Sequence, residues 1–252
     1  MVKLSVVIIT FNEEKNIGRC LASVSDLADE ILIIDSNSTD RTLEICRSFN
    51  ARIIQHAFEG YYQQKNFANS MAGNEYILSL DADEELSPEL KKSIQGVLKN
   101  WTADGYSFNR LTNFCGQWIR HCGWYPDRKI RLFVKGKAEW SHQNPHERLE
   151  LKDPKREQIL KGDLLHYSFY TSEEYERQQM KYALMAAENM YAKGKRTSAF
   201  QVRYKRLFKF FRDYILLGGF LEGKNGYIIC SLSAKAVGRK YGELLSRQKS
   251  KF

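Results

Sequence analysis

The stretch YILSLDADEEL, residues 76–86, ends an apolar run in four carboxylates: Asp81, Asp83, Glu84 and Glu85. The apolar part is continuous rather than alternating, the mark of a strand buried on both faces. In extended backbone, residues two apart point to the same side, so Asp81 and Asp83 can face one ligand. Their hard oxygens suit Mg²⁺ or Mn²⁺, which keep several waters and bridge to phosphates. Glu84 and Glu85 read as a solvated turn, or as favourable charge ahead of the next helix. Two more polar clusters close apolar runs: Thr10, Asn12 and Glu13 end LSVVIITF, and DSNSTD (Asp35–Asp40) ends ILIID. Any one of these clusters alone reads as a solvated turn. Three at the ends of the first, second and fourth strands read as a ligand site, because open α/β sheets bind beyond the carboxyl ends of their strands.

The elements carrying these residues alternate. Strand patterns at 4–11, 31–35, 52–56 and 76–80 are separated by helical ones: Ile17, Cys20, Leu21 and Val24 at three-and-four spacing, then 43–49 and 61–71. Ser87-Pro88 supplies an N-cap and a preset first turn for a helix striped by Leu90, Ile94, Val97 and Leu98. Such alternation predicts an α/β fold with a mostly parallel central sheet flanked by helices. From about residue 102 to 169 the pattern shifts to short strands, 106–111, 129–133 and 164–168, between loops rich in Trp, His, Asn and Gly. Beyond residue 172 it is helical. Between Lys193 and Phe252, fifteen Lys/Arg stand against Asp213, Glu222 and Glu243, a strongly basic tail.

With 252 residues, 43% hydrophobic and 27% charged, the chain can bury a real core. A net charge of +9 favours anionic partners. Five scattered cysteines without a CxxC pair fit a reducing compartment. The opening MVKLSVVIITFNEE reads as a first strand rather than a signal peptide, and no 18-residue apolar run predicts a spanning helix. Cys115, His121, Cys122, His142 and His146 match no standard zinc spacing. No GxGxxG follows the first strand, which argues against a nicotinamide site. The charge alone would allow nucleic-acid binding, but no signature of an RNA- or DNA-binding module is present, and no nucleic-acid partner is expected.

SVVIITFNEE, ILIIDSNSTD, GYYQQKNFA and LSLDADEEL, in this order and spacing, resemble the family 2 glycosyltransferases, inverting enzymes of the GT-A fold. The resemblance implies that Thr10, Asn12 and Glu13 hold the donor nucleotide, that Asp35 reads the uracil base and that Lys65 touches the nucleotide. It places Asp81 near the ribose and makes Asp83 the direct ligand of Mg²⁺ or Mn²⁺. The family's second motif is more often DDGSTD, and here Asn37 stands at the glycine. GWYPDRKIRLF, NPHERLEL and LLHYSF resemble the branch that contains lipopolysaccharide-core β-1,4-glucosyltransferases. Within it, Glu147 is the candidate catalytic base, with a surface ion pair to Arg148 as the alternative. His166 is a candidate second metal contact or a core histidine. Arg128 and Arg131 suit phosphate oxygens, or else pair with Asp127. Trp124 and Tyr125 can stack on a sugar or fill the core.

Residues 1–170 are expected to form the catalytic domain, with 1–100 the nucleotide-binding half and 101–170 the acceptor half. Residues 171–252 would be a basic helical extension, with contact to an anionic membrane surface as an option through 193–252. The implied activity is transfer of a hexose, glucose from UDP-glucose, to a lipopolysaccharide-core or other surface glycan with a β-linkage. The expected location is the cytoplasm, with peripheral attachment to the inner face of the inner membrane left open. The rival readings are a sugar-1-phosphate nucleotidyltransferase, which TFNEEKN does not suit, and a silent nucleotide-sugar binder.

Overall fold

A computed structural model describes residues 2–143 and 146–249, without the side chains of His142, Gln143, His146 and Glu147. The elements are β1 (Leu4–Thr10), α1 (Ile17–Val24), β2 (Glu30–Asp35), α2 (Thr42–Ser48), β3 (Arg52–Gln55), α3 (Tyr61–Met71), β4 (Tyr76–Asp81), β5 (Glu84–Leu86) and α4 (Pro88–Lys99). They continue with β6 (Gly105–Phe114), β7 (Gln117–Ile119), β8 (Asp127–Val134), β9 (Ala138–Gln143), β10 (His146–Leu151) and β11 (Glu157–Phe169). The helices α5 (Ser172–Ala192), α6 (Ala199–Phe211) and α7 (Gly223–Lys249) follow. The chain forms two compact units, Met1–Arg110 with Asp127–Tyr167, and Leu111–Pro126 with Ser168–Phe252.

In the first unit the strand order is β3-β2-β1-β4-β8-β6-β11-β5. The pairs β2–β3, β1–β2 and β1–β4 are parallel. Beyond β4 the pairings β4–β8, β6–β8 and β5–β11 are antiparallel, so the sheet is mixed. Continuous apolar strands follow from burial on both faces. Leu4, Val6 and Ile8 of β1 enter one cluster with Ile17, Leu21, Leu90 and Ile94, while Val7 enters another with Ala68, Trp140 and Leu149. Helices α1 and α4 therefore cover one face. The other is covered by α3 and the hairpin β9–β10, which the sequence pattern did not predict. Helix α4 starts as its sequence dictates: Pro88 opens it, and Ser87 Oγ accepts the Leu90 N–H at 3.3 Å.

The second unit is helical. Its α5 opens with a capping box, Glu174 N–H donating to Thr171 Oγ1 and Thr171 N–H to Glu174 Oε2, both at 3.2 Å. Glu222 ties α7's start to the β7 segment, accepting from Gln117 Nε2 (2.7 Å), Arg120 N–H (2.8 Å) and His121 N–H (2.9 Å). Trp124 packs in this unit's aromatic core, so its core reading holds. No helix among the described residues is long and apolar enough to cross a membrane.

Candidate functional site

Register brings the predicted residues together. Thr10 lies opposite Asp35, and Ile9 opposite Asp81, so the carboxyl ends of β2, β1 and β4 present their acidic groups side by side. Strand order reverses here, β2 and β3 lying to one side of β1 and β4 to the other, which is where open α/β sheets bind ligands.

The loops after β1 and β2 are laced to each other. Asn12 N–H donates to Ser38 Oγ (2.9 Å), Thr39 N–H to Asn12 Oδ1 (2.8 Å) and Glu13 N–H to Thr42 Oγ1 (2.8 Å). Asn37 adopts φ +64°, so the backbone conformation that glycine supplies is kept by a residue that tolerates it. Asp35 is fully buried and is held by Ser38, whose N–H donates at 2.9 Å and whose hydroxyl donates at 2.5 Å. Burial pushes the Glu13 carboxyl above its ordinary value; an Asn16 hydrogen bond opposes this, and the nearby Asp83, Asp40 and Asp81 add to it.

Around the tip of β4 the charges alternate. Lys65 Nζ lies 2.7 Å from Asp81 Oδ1, and Arg131 Nη2 lies 2.8 Å from both Asp81 Oδ2 and Glu84 Oε1. Burial alone would raise the Asp81 carboxyl; Lys65 and Arg131 outweigh it and hold the group well below the usual carboxylate range. Trp140 lies under both cations, 4.3 Å from Lys65 Nζ and 5.1 Å from the Arg131 guanidinium carbon. Several buried donors find no partner among the described residues: Thr10 Oγ1, Arg131 Nε and Nη1, and Trp140 Nε1. Buried polar atoms left open at a strand-end site point to a polar ligand.

Asp83 is held separately. Its Oδ2 lies 3.1 Å from His166 Nε2, and its carbonyl accepts the Tyr167 N–H at 3.0 Å, because β11 pairs with β5 directly beside it. Among the described residues, no three His, Cys, Asp or Glu side chains form a protein-only metal cage. A hard cation that retains waters and phosphate oxygens needs only one or two protein ligands; Asp83 supplies the carboxylate oxygen of such a set, with the His166 imidazole beside it as a nitrogen donor.

The reading of Glu84 as part of a solvated turn is overturned. It lies on β5 at 1% exposure, salt-bridged to Arg131, and its Oε2 accepts the Asp81 N–H at 2.9 Å. Glu85 is half-buried and accepts from the Tyr167 hydroxyl at 2.8 Å. Arg128 does not join the cluster: it is exposed and makes no ion pair there among the described residues. Arg110 does reach it, its Nη1 3.9 Å from Glu84 Oε1 while its Nη2 pairs with Asp127 Oδ2 at 2.9 Å, and it and Trp140 were missed. The side chain of the candidate base Glu147 lies outside the described residues, as do those of His142 and His146; Glu147's backbone lies opposite His142 in the β9–β10 hairpin.

Fold and site define an α/β protein with an acidic ligand site at the carboxyl ends of parallel strands. The family model "Glycosyl transferase family 2" matches residues 5–160, and the chain belongs to that family of glycosyltransferases. It is 30% identical over 238 residues to an uncharacterised glycosyltransferase of Rickettsia typhi, covering 90% of this chain and 82% of the relative. It is 27% identical over 259 residues to the lipopolysaccharide core biosynthesis glycosyltransferase LpsC of Rhizobium meliloti, covering 94% and 93%. Among solved structures it is similar to S. aureus TarS 1-349, with 16% identity, a TM-score of 0.47, and 98% and 92% of the two chains covered.

Proposed function

We propose that this glycosyltransferase is a divalent-cation-dependent, inverting hexosyltransferase that takes glucose from UDP-glucose and builds a β-linkage onto a lipopolysaccharide-core or related surface glycan. The observation that carries the reading is the alignment of Asp35, Thr10 and Asp81 across three adjacent strands, with the Asp83–His166 pair just beyond. The similarity to LpsC, a lipopolysaccharide core enzyme by name, supports the acceptor class. A glycan carried on lipid puts the work at the cytoplasmic face of a membrane.

In this reading Asp35, fixed by Ser38, meets the uracil base, and Thr10, Asn12 and Glu13 line the nucleotide. Asp81 is oriented toward the ribose by Lys65 and Arg131, whose open donors offer hydrogen bonds to diphosphate oxygens. When held by Asp83 and His166, Mg²⁺ or Mn²⁺ supplies charge neutralisation for the diphosphate leaving group. Glu147 takes the proton from the acceptor hydroxyl as its oxygen bonds to the anomeric carbon and the nucleoside diphosphate departs. One displacement turns an α-linked donor into a β-linked product.

The test is a panel of nucleotide sugars, each incubated with Mg²⁺ or Mn²⁺ and acceptor-bearing membrane extract, with release of nucleoside diphosphate as readout. UDP-glucose should be turned over, and chelation should stop it. Glu147→Gln should lower kcat by roughly 10²–10⁴-fold and leave donor binding intact. Turnover that persists in EDTA, or a Glu147→Gln variant as fast as the parent, contradicts the mechanism.

A further inference from the structure

The second unit carries an apolar face that none of its described residues covers. On α6, Phe200, Tyr204, Leu207 and Phe211 recur at spacings of four, three and four, the signature of one helix face, and all four are exposed. Phe200 is 76% and Leu207 is 70% exposed. Phe200, Tyr204 and Phe208 stack along the helix with centroids 6.3 and 5.9 Å apart, so the aromatic surface is ordered before any partner arrives. Just past the helix, Leu216 and Leu221 are exposed as well, at 62% and 61%. A patch of this kind on a soluble protein marks a binding surface.

Charge selects the occupant. Arg203 and Arg206 are exposed on the same helix, and neither makes an ion pair with a described residue. Lys193, Lys195 and Arg196 lie exposed just before it, and Lys224 just after. The acids of this stretch are spent inside the unit: Asp213 is buried against Lys209 and Arg212, and Glu222 accepts the hydrogen bonds described above. A second copy of the chain would bring basic flank against basic flank. An anionic bilayer satisfies both properties at once, apolar side chains entering the acyl boundary and cations meeting head groups. No helix among the described residues is long and apolar enough to span, and the docking argued for is peripheral.

We propose that the face Phe200–Tyr204–Leu207–Phe211, extended by Leu216 and Leu221, docks this protein on an anionic phospholipid surface. The docking deepens the function proposed above, resting on it only for the lipid-borne acceptor, and it is independent of donor chemistry.

The test is sedimentation of the full chain with vesicles of phosphatidylcholine alone or of phosphatidylcholine mixed with phosphatidylglycerol, across a salt series. Binding should require the anionic lipid and weaken with salt. Arg203→Glu with Arg206→Glu should weaken it by roughly 30-fold or more, taking about fivefold per basic side chain near the surface. Leu207→Glu with Leu216→Glu, both at exposed positions, should weaken it comparably while UDP still raises the melting temperature. Binding to neither vesicle, equal binding to both, or unchanged binding in the charge-reversal variant overturns the proposal. So does a concentration-dependent dimer that only Leu207→Glu with Leu216→Glu dissolves, since that makes a second copy the occupant. Loss of lipid binding with UDP-glucose turnover intact removes this proposal alone, whereas absent turnover with lipid binding intact removes only the function above.

Discussion

Taking a carboxylate and a guanidinium out of water costs several kcal/mol each, and Glu84 and Arg131 offset that cost through each other and through Asp81. Glu84 touches Asp81 twice, by its own hydrogen bond to the backbone N–H and through the shared Arg131. In the proposed function it is a positioning residue for the Asp81 carboxylate. Glu84→Gln should therefore destabilise the protein by about 3–5 kcal/mol in urea unfolding and raise the donor KM more than it lowers kcat. Glu85→Gln, which weakens only the contact with the Tyr167 hydroxyl, should cost less than about 1 kcal/mol. Equal losses in the two variants would contradict this assignment. The types and spacing of Asp35, Asp81 and Asp83 made them legible in the sequence. Glu84 was not, because a run of acids looks solvated until its partner, 47 residues away, is known. Trp140 and Arg110 escaped for the same reason.

At the scale of elements, the alternation of β-branched strands and striped helices over residues 4–99 was legible because each period is local. Ser87 and Pro88 announce the start of α4 in two residues. The β9–β10 hairpin was not legible: AEWSHQ and HERLEL are polar on one side and earn burial only against α3 and the sheet. Glycines show how context decides. Gly96 on an exposed turn of α4 has open space where a Cβ would go, so Gly96→Ala should raise stability by about 0.5–1 kcal/mol. A Cβ at Gly226 would sit 1.9 Å from the Gly219 carbonyl oxygen, so Gly226→Ala should lower the melting temperature sharply. Glu222 gives a pH signature. Burial would raise its carboxyl, but hydrogen bonds from His121, Arg120 and Gln117 hold it below the ordinary 4.5. The stabilisation is therefore complete above about pH 4.5 and is lost as pH falls through the lower folded value. Thermal melts of Glu222→Gln against the parent should differ by about 1–3 kcal/mol at pH 7 and converge in stronger acid.

For the molecule as a whole, ligand binding should be visible as stability. UDP with Mn²⁺ at about 100 times its Kd should add about 2.7 kcal/mol in calorimetry, and Asp35→Ala should abolish the gain. The basic balance of the chain was plain in the composition, and the helical character beyond residue 172 in its periodicity. The place of residues 111–126 was not, since the groups that assign them to the second unit come from its far end. The Arg120 N–H to Glu222 bond spans 102 residues. On a ribosome adding roughly 5–20 residues per second, the β7 segment waits about 5–20 s for the carboxylate that fixes it. During that interval the helical unit cannot complete this contact. Slowing translation between residues 170 and 222 should therefore lengthen the exposure of Trp118 and Trp124 to chaperones and proteases, while leaving the first unit, whose last strand ends at Phe169, unaffected.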